Sequence, residues 1–408
     1  MSLGWIVSNE KFMEKTKKWL DNLKIRGSYG QVGNDNYAGQ RFLYEERWSQ
    51  IVNDYYFGTT GKTGIFENQY PNYDVTWERA HKFDFGVDFA LFNGLLRGNF
   101  DYFYERRNDI LTEYQTRPQW VGVTMAAGNL GKTKNQGYEI ELRHTNTIGK
   151  DFRYNVGLSF SHSHNEIDEL DEPSLKTAYR RLAGKPINQF MGLVCEGFIT
   201  QADILSGTLP VSTYGNTQVG DLKYKDMNGD GFIDDRDVTY IGYSDIPENT
   251  YSLSLGCEWK GITFSMMFQG VDHVSRYYDA EAMYAFVNGG KVKEHHLGRW
   301  NPNASDAYNL ANASYPLLHY DANGNHNQRV NSFFLKNGAF VRLKNIELGY
   351  NLPSKWINRL AMSECRVFVN ANNLITWDHL DDLVDPESSG SNKYPIMKTV
   401  NVGVNIRF

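Results

Sequence analysis

From Thr399 to Phe408 the side chains alternate without a break. Val400, Val402, Val404, Ile406 and Phe408 fall on one face, and Thr399, Asn401, Gly403, Asn405 and Arg407 on the other. Alternation at period two marks a strand with one apolar and one polar face. The same pattern recurs upstream. Strands are predicted at Leu3–Val7 and Leu23–Gly30, joined by a helix-like connector over Asn9–Trp19. Phe83, Phe85, Val87, Phe89 and Leu91 then turn at Asn93-Gly94 into Leu96, Phe100, Tyr102 and Tyr104. Asn-Gly tolerates the positive φ that a tight hairpin needs. Tyr138, Ile140 and Leu142 run through Ile148-Gly149-Lys150 into Phe152, Tyr154, Val156, Leu158 and Phe160. Tyr251 to Trp259 turns at Lys260-Gly261 into Ile262 to Phe268, and Ile346 to Leu352 passes through Pro353–Ser363 into Cys365, Val367 and Val369.

The connections alternate short and long. Long ones run to about Arg79, to about Asn135, from Asn165 to Glu248, and to Gly338. Strands of ~10 alternating residues suit a tilted bilayer crossing, whereas a soluble sandwich uses shorter strands with frequent turns at both ends. The expected fold is all-β: an antiparallel transmembrane β-barrel of about eleven strands with long extracellular loops. Single-chain bacterial barrels have even strand numbers, so an odd count implies a C-terminal portion, residues 1–408, of a larger barrel. Leu3–Val7 is then the far half of a hairpin. The polar faces, among them Lys24, Arg26, Lys82, Asp84, Asp88, Arg97, Asp101, Glu139, Glu141 and Arg143, are expected to line a lumen.

Composition supports this picture. Aromatics make up 14%, with 26 Tyr, 23 Phe and 37 Gly, a mix that favours strands and turns. Mean hydropathy of -0.54 argues against a helical membrane protein, but a barrel has polar strand faces and polar loops. No apolar run is long enough for a transmembrane helix, and Met1-Ser2-Leu3-Gly4-Trp5 lacks the basic start and apolar stretch of a signal peptide. A net charge of -6 provides no basic field, so nucleic acid is not an expected partner. Cys195, Cys257 and Cys365 lack metal spacing and are expected as small hydrophobes.

One motif carries chemistry. In Asp226-Met-Asn228-Gly-Asp230-Gly231-Phe232-Ile233-Asp234-Asp-Arg-Asp237, oxygen donors fall at positions 1, 3, 5 and 9 of a twelve-residue EF-hand-like loop, residues 226–237. Gly231 supplies the sharp turn and Phe232 a carbonyl; Asp237 stands where the pattern has Glu, and Ile233 is expected to pack inward. Structural Ca2+ is the expected cofactor. The flanks read as strand, so a clamp within the extracellular loop 165–248 is expected rather than a helical sensor. Gly61-Lys62-Thr63 lacks the first glycine of a phosphate loop, the pair His162 and His164 reads as a satisfied strand-end pair, and His295-His296 lacks metalloprotease spacing. No nucleophile, base and oxyanion set assembles, so no enzyme is expected. Trp48, Tyr55, Tyr56, Trp120 and Trp300 fall outside the predicted strands; they are candidates for stacking on sugars or peptide side chains, with loop packing as the alternative.

Several segments resemble the SusC/RagA family of TonB-dependent outer-membrane transporters. They are Leu23-Lys-Ile-Arg-Gly-Ser-Tyr-Gly30, Asn135-Gln-Gly-Tyr-Glu-Ile-Glu-Leu142, Gly220-Asp-Leu-Lys-Tyr-Lys-Asp-Met-Asn-Gly-Asp-Gly231, Phe340-Val-Arg-Leu-Lys-Asn-Ile-Glu-Leu-Gly-Tyr350, Asn370-Ala-Asn-Asn-Leu374 and the terminal strand. The resemblance implies the C-terminal half of a plugged barrel in the outer membrane of a Bacteroidetes-type Gram-negative cell. It further implies a SusD-like surface lipoprotein as lid, energy from a TonB complex through an N-terminal half, and glycan or peptide cargo. The rival from another class is a secreted calcium-stabilised β-sandwich that binds glycans as an adhesin module.

Overall fold

The computed structural model describes residues 1–36, 41–173, 177–278, 283–320, 326–357, 362–380, 384–388 and 394–408. Eleven strands form one antiparallel sheet in chain order: β1 (Ser2–Ile6), β2 (Leu20–Asn34), β3 (Glu78–Leu91), β4 (Leu96–Thr112), β5 (Gly128–Ile148), β6 (Phe152–Glu169), β7 (Asn249–Trp259), β8 (Ile262–Asp272), β9 (Phe340–Asn351), β10 (Glu364–Asp378) and β11 (Thr399–Arg407). Neighbours in sequence are neighbours in the sheet, as in an up-and-down wall. The tight turns fall where expected. Asn93 and Gly94 have φ of 60° and 76°, and Lys260 and Gly261 have 48° and 87°. No helix among the described residues is long and apolar enough to cross a membrane.

Several strands outrun the predicted length, β5 reaching 21 residues. Apolar alternation fades before the ladder does, because polar residues pair as well as apolar ones once a neighbouring strand is present. Asn9–Trp19 forms two short 3-10 segments rather than a regular helix. The connection over Pro353–Ser363 lies partly outside the described residues.

The apolar face of the sheet is exposed. Phe83, Phe85, Phe100, Tyr102, Leu348, Val367, Val369, Val402 and Ile406 all leave more than a third of their surface open. A monomer in water rarely tolerates a contiguous apolar face of this kind, whereas hydrocarbon demands it.

The chain divides into two compact units. One comprises Met1–Leu142 with Ser161–Ile187. Besides wall strands it holds a separate hairpin, Arg47–Phe57 paired with Thr60–Tyr70, inside what reads in sequence as a plain loop. A small cluster of Leu43, Leu111, Ala126 and Ala127 lies at its core.

The other unit comprises Arg143–Phe160 with Asn188–Phe408. Here the long connections between β6 and β7, β8 and β9, and β10 and β11 fold into a body of their own. Leu193, Leu222, Tyr224, Ile233, Tyr278, Met283, Tyr284, Tyr315, Phe334 and Leu380 form its core. Short sheets frame it, pairing Gln189–Gly192 with Thr239–Ser244 and Cys195–Phe198 with Leu222–Tyr224. The turn residues of 326–334 stitch these pieces together. Leu222 N–H donates to Asn327 Oδ1 at 2.9 Å, and the Asn331 amide donates to Tyr224 Oη at 3.1 Å while accepting from the Phe333 and Phe334 amides. A loop this well satisfied can be buried without stranding backbone groups.

Candidate functional site

The polar face of the wall carries the first arrangement. In the register, Gly86 stands opposite both Arg26 and Asp101. Any Cβ at Gly86 would collide with the Arg26 guanidinium, so glycine opens the path along which Arg26 crosses a whole strand. Arg26 meets Asp101 at 2.6 Å, Asp84 at 3.3 Å and Asp88 at 3.4 Å. Lys82 and Arg107 share Glu105 at 3.0 and 2.9 Å, and Lys134 bridges Glu166 and Asp168 at 3.0 and 3.2 Å. The other unit repeats the device. Arg366 lies over Gly349 and donates to Glu347 at 2.6 Å and to Thr263 at 3.0 Å. These are half-buried, mixed-sign networks. They brace the polar face from strand to strand.

The acidic loop is the second arrangement. Asp226 accepts from the Gly229 and Gly231 amides at 2.7 and 2.8 Å, and Asn228 Oδ1 accepts from Asp230 N–H at 2.8 Å. Asp230 accepts from Phe232 N–H at 3.0 Å. Asp237 is fully buried and accepts from Met227 and Asp234 amides, both at 2.9 Å. Partial burial works against ionisation of Asp226, but the Gly231 and Gly229 amides outweigh it and hold the carboxyl below its ordinary range. Arg236 bridges Asp230 and Asp234, each at 2.7 Å, so a guanidinium neutralises two of the expected ligands. Among the described residues no group of three or more His, Cys, Asp or Glu converges as a metal centre. The donor set is nonetheless all oxygen, as a hard cation requires. Ile233 packs inward as its position predicts, buried in the loop core and paired beside Val211–Ser212.

The five ring candidates do not meet. Trp48, Tyr55 and Tyr56 are exposed, but they lie within the strand Arg47–Phe57 rather than outside strands. Trp120 is 85% exposed on the turn Gln119–Val121. Trp300 is 1% exposed, packed on Phe198 at 5.5 Å and over Gly220, and is therefore a core residue that no ligand reaches. The weaker motifs are structural too. Gly61-Lys62-Thr63 lies in the strand Thr60–Tyr70 and precedes no helix. His296 is fully buried, its Nδ1 accepting from Lys293 N–H and its Nε2 bonded to the Met283 carbonyl. His162 tilts against Tyr138 at 5.3 Å. The three cysteines are free and half-buried.

Sequence reasoning missed one residue. Arg342, 2% exposed on β9, donates to Thr376 at 2.8 Å and Asp385 at 2.8 Å and also pairs with Glu387. Lys344, at the register shift between Leu343 and Asn345, also meets Glu387 at 2.6 Å. Together they clasp segment 384–388 to the wall. Two cations close together inside a strand were the available signal.

The profile of the family described as TonB dependent receptor-like, beta-barrel matches residues 17–374. The chain is 26% identical over 430 residues to the TonB-dependent receptor SusC of Bacteroides thetaiotaomicron, spanning 100% of the chain and 40% of SusC. It is 25% identical over 438 residues to a TonB-dependent receptor of Formosa agariphila, again spanning all of the chain and 42% of that relative. The chain thus spans about two fifths of the length of the curated relatives it matches. Among solved structures, the RagAB peptide importer in its open-open state superposes with a TM-score of 0.73 at 24% identity, over 100% of this chain and 42% of that one. The closed-closed state gives 0.71 at 23% identity, over 99% and 43%. These two likenesses concern the fold.

Proposed function

The chain belongs to the TonB dependent receptor-like, β-barrel family, and we propose that it forms part of the wall and outer loops of a nutrient importer of the SusC/RagA kind. The family is one of transport receptors rather than enzymes, it resides in the outer membrane of Gram-negative, Bacteroidetes-type cells, and it rules out the secreted β-sandwich. The observation that carries the reading is the two-faced wall. Exposed apolar side chains alternate with polar residues along the strands, ion-paired at Arg26–Asp101 and at Arg366–Glu347, which suits lipid on one side and a hydrated passage on the other.

In this reading the chain is the C-terminal part of a larger barrel. Plug, TonB contact and the remaining wall come from the rest of a protein as long as its relatives. The folded loop body supports a surface role, capped by a SusD-like lipoprotein, and the cargo is an oligosaccharide or a peptide. Uptake of labelled oligosaccharide and peptide pools by cells with and without the gene tests this. Loss of one class of uptake is expected; unchanged uptake of both would refute it.

Calcium is part of the proposal. Asp226, Asn228, Asp230, Asp234, Asp237 and the Phe232 carbonyl would hold it, with Arg236 swinging away, and it would fasten the loop body. Millimolar Ca2+ should raise the melting temperature of the protein, as binding to the folded state alone requires, and Asp226→Ala should remove the shift. No shift in the parent protein would refute calcium while leaving the import reading intact.

A further inference from the structure

The short connection between β1 and β2, residues 7–19, carries Lys11, Lys15, Lys17 and Lys18 in close succession, with Phe12 and Trp19 exposed among them. We propose that this connection docks onto the anionic phospholipid headgroups of the membrane leaflet at the short-turn end of the wall. The inference goes beyond import and cargo, and rests on the membrane reading of the sheet.

Three observations carry it. First, the connection is fastened to the apolar face. Trp5 stands opposite Ile25 in the register and Ile25 opposite Val87, so Trp5 lies on the face read as lipid-facing. Its Nε1 donates to Glu10 Oε1 at 2.9 Å, and its ring meets Phe12 edge-on at 6.4 Å. Phe12 is nonetheless 67% exposed. An indole with its N–H bonded, beside a second open ring, suits the boundary between hydrocarbon and headgroups.

Second, lysines fall in line with that ring. Met13 N–H donates to Glu10 O at 2.9 Å, Lys17 N–H to Glu14 O at 3.4 Å and Trp19 N–H to Thr16 O at 3.0 Å, all bonds of the 3-10 type. Side chains three apart eclipse in such turns, so Lys15 and Lys18 share the row of Phe12. All four lysines are exposed, and among the described residues none of them forms an ion pair. On the wall, by contrast, Lys24, Lys82 and Lys134 each face a carboxylate. The local acids are placed elsewhere. Glu10 holds the Trp5 indole, Asp21 accepts from Gly94 N–H at 2.8 Å, and Glu14 falls in the row of Lys11 and Lys17. A ring followed by two lysines in one row lets the stems lie along apolar surface and the ammonium groups reach phosphate.

Third, the connection lies at the correct end. Trp19 O accepts from Phe92 N–H at 2.8 Å, and Phe92 opens the tight turn between β3 and β4. Short turns of such barrels face the periplasm, so the leaflet within reach is the inner one. The other unit, taken by itself, sets lysine beside an exposed tryptophan on two short connections. These are Trp259-Lys260, with Nζ 5.6 Å from the ring, and Lys355-Trp356.

The test uses the whole protein with its own cysteines replaced, made in its native outer membrane and purified in detergent. A fluorophore on Asn9→Cys is read in phosphatidylcholine vesicles that carry a small fraction of nitroxide-labelled phosphatidylglycerol or nitroxide-labelled phosphatidylcholine. At low salt the phosphatidylglycerol should quench about threefold more efficiently or better, as a cluster of lysines at a surface requires. High salt should shrink the excess. Changing Lys11, Lys15, Lys17 and Lys18 together to Gln should abolish it, and changing them to Arg should keep it. A fluorophore on Thr59→Cys, in the hairpin of a long connection, should show no preference. Heat-modifiable migration establishes that each variant is folded. The proposal is overturned if the two lipids quench equally, if the preference survives the glutamine changes, or if millimolar inorganic phosphate removes it, which would make the site one for a free anion. Absence of quenching by either lipid would place another segment over the connection and overturn it as well. Failure of the membrane reading has a separate signature, loss of quenching at Phe85 too.

Discussion

The sheet and the body formed by its long connections solve opposite problems with the same alphabet. On the wall, Val402 is 78% and Leu348 50% exposed, and charged side chains such as Arg26 and Arg366 are the ones drawn into ion pairs. In the loop body the order is reversed. Leu222, Phe334 and Trp300 are almost wholly covered, and buried polar groups such as Asp221, Asn327 and Asn331 are hydrogen-bonded to one another and to the backbone. A core excludes its solvent, whereas a wall is shaped by two solvents, one on each face. The difference teaches that burial alone is a poor guide to importance in this protein. An exposed Phe85 is as much a structural residue as a hidden Leu222.

The sharpest way to break the comparison is where the two regions meet, at Arg342. Arg342→Met leaves Asp385 without its buried cation and Glu387 with Lys344 alone, and should cost about 3–5 kcal/mol of stability. Segment 384–388 should then become cleavable by added protease on intact cells. Unchanged resistance would mean that the clasp contributes little. On the wall, Phe85→Arg should cost about 2–4 kcal/mol of folding free energy in lipid vesicles, the penalty of a cation on the hydrocarbon face. A loss below about 0.5 kcal/mol, the size of an ordinary surface change, would argue that Phe85 faces water.

A smaller loss is expected inside the loop body. Tyr224→Phe removes a hydroxyl that donates to the His326 carbonyl at 2.9 Å and accepts from Asn331. It should cost about 1–3 kcal/mol, read as faster hydrogen exchange in 222–224 and 326–334, with wall amides unchanged. The smallest effect separates the regions by pH. Burial pushes the His326 imidazole below its ordinary value of 6.5, more than the Leu222 carbonyl and Asp221 restore, and His319 adds to the depression. The unfolded chain therefore takes up the proton first. Stability from this group is present above 6.5 and declines as the pH falls through the lower folded value. Protection of loop-body amides, taken relative to the intrinsic exchange rate at each pH, should fall from pH 7 towards pH 5, and His326→Asn should flatten the response. The wall should show no such step.

The wall was legible because its signal is local. Period-two alternation and the turns at Asn93-Gly94 and Lys260-Gly261 fix strands, order and even the side on which Val400 and Val404 fall. The acidic loop was legible as a motif, down to the inward side chain of Ile233. The loop body was not. Its core joins Leu193, Tyr315 and Leu380 from three separate connections, and no window of sequence contains that convergence. Trp300 shows the cost. Its large ring in a long connection reads as a surface ligand platform, yet Gly220, eighty positions away, leaves room for it in the core.

The central claim is that one face of the sheet meets lipid. Single cysteines placed in turn from Lys82 to Asp88, in the protein with its own cysteines replaced, would be labelled with a fluorophore and reconstituted in vesicles carrying nitroxide lipids. Quenching should alternate, strong at Phe83, Phe85 and Val87, weak at Lys82, Asp84, Gly86 and Asp88, with the weak positions reacting readily with aqueous thiol reagents. Uniform quenching, or strong quenching at the charged positions, would contradict the account.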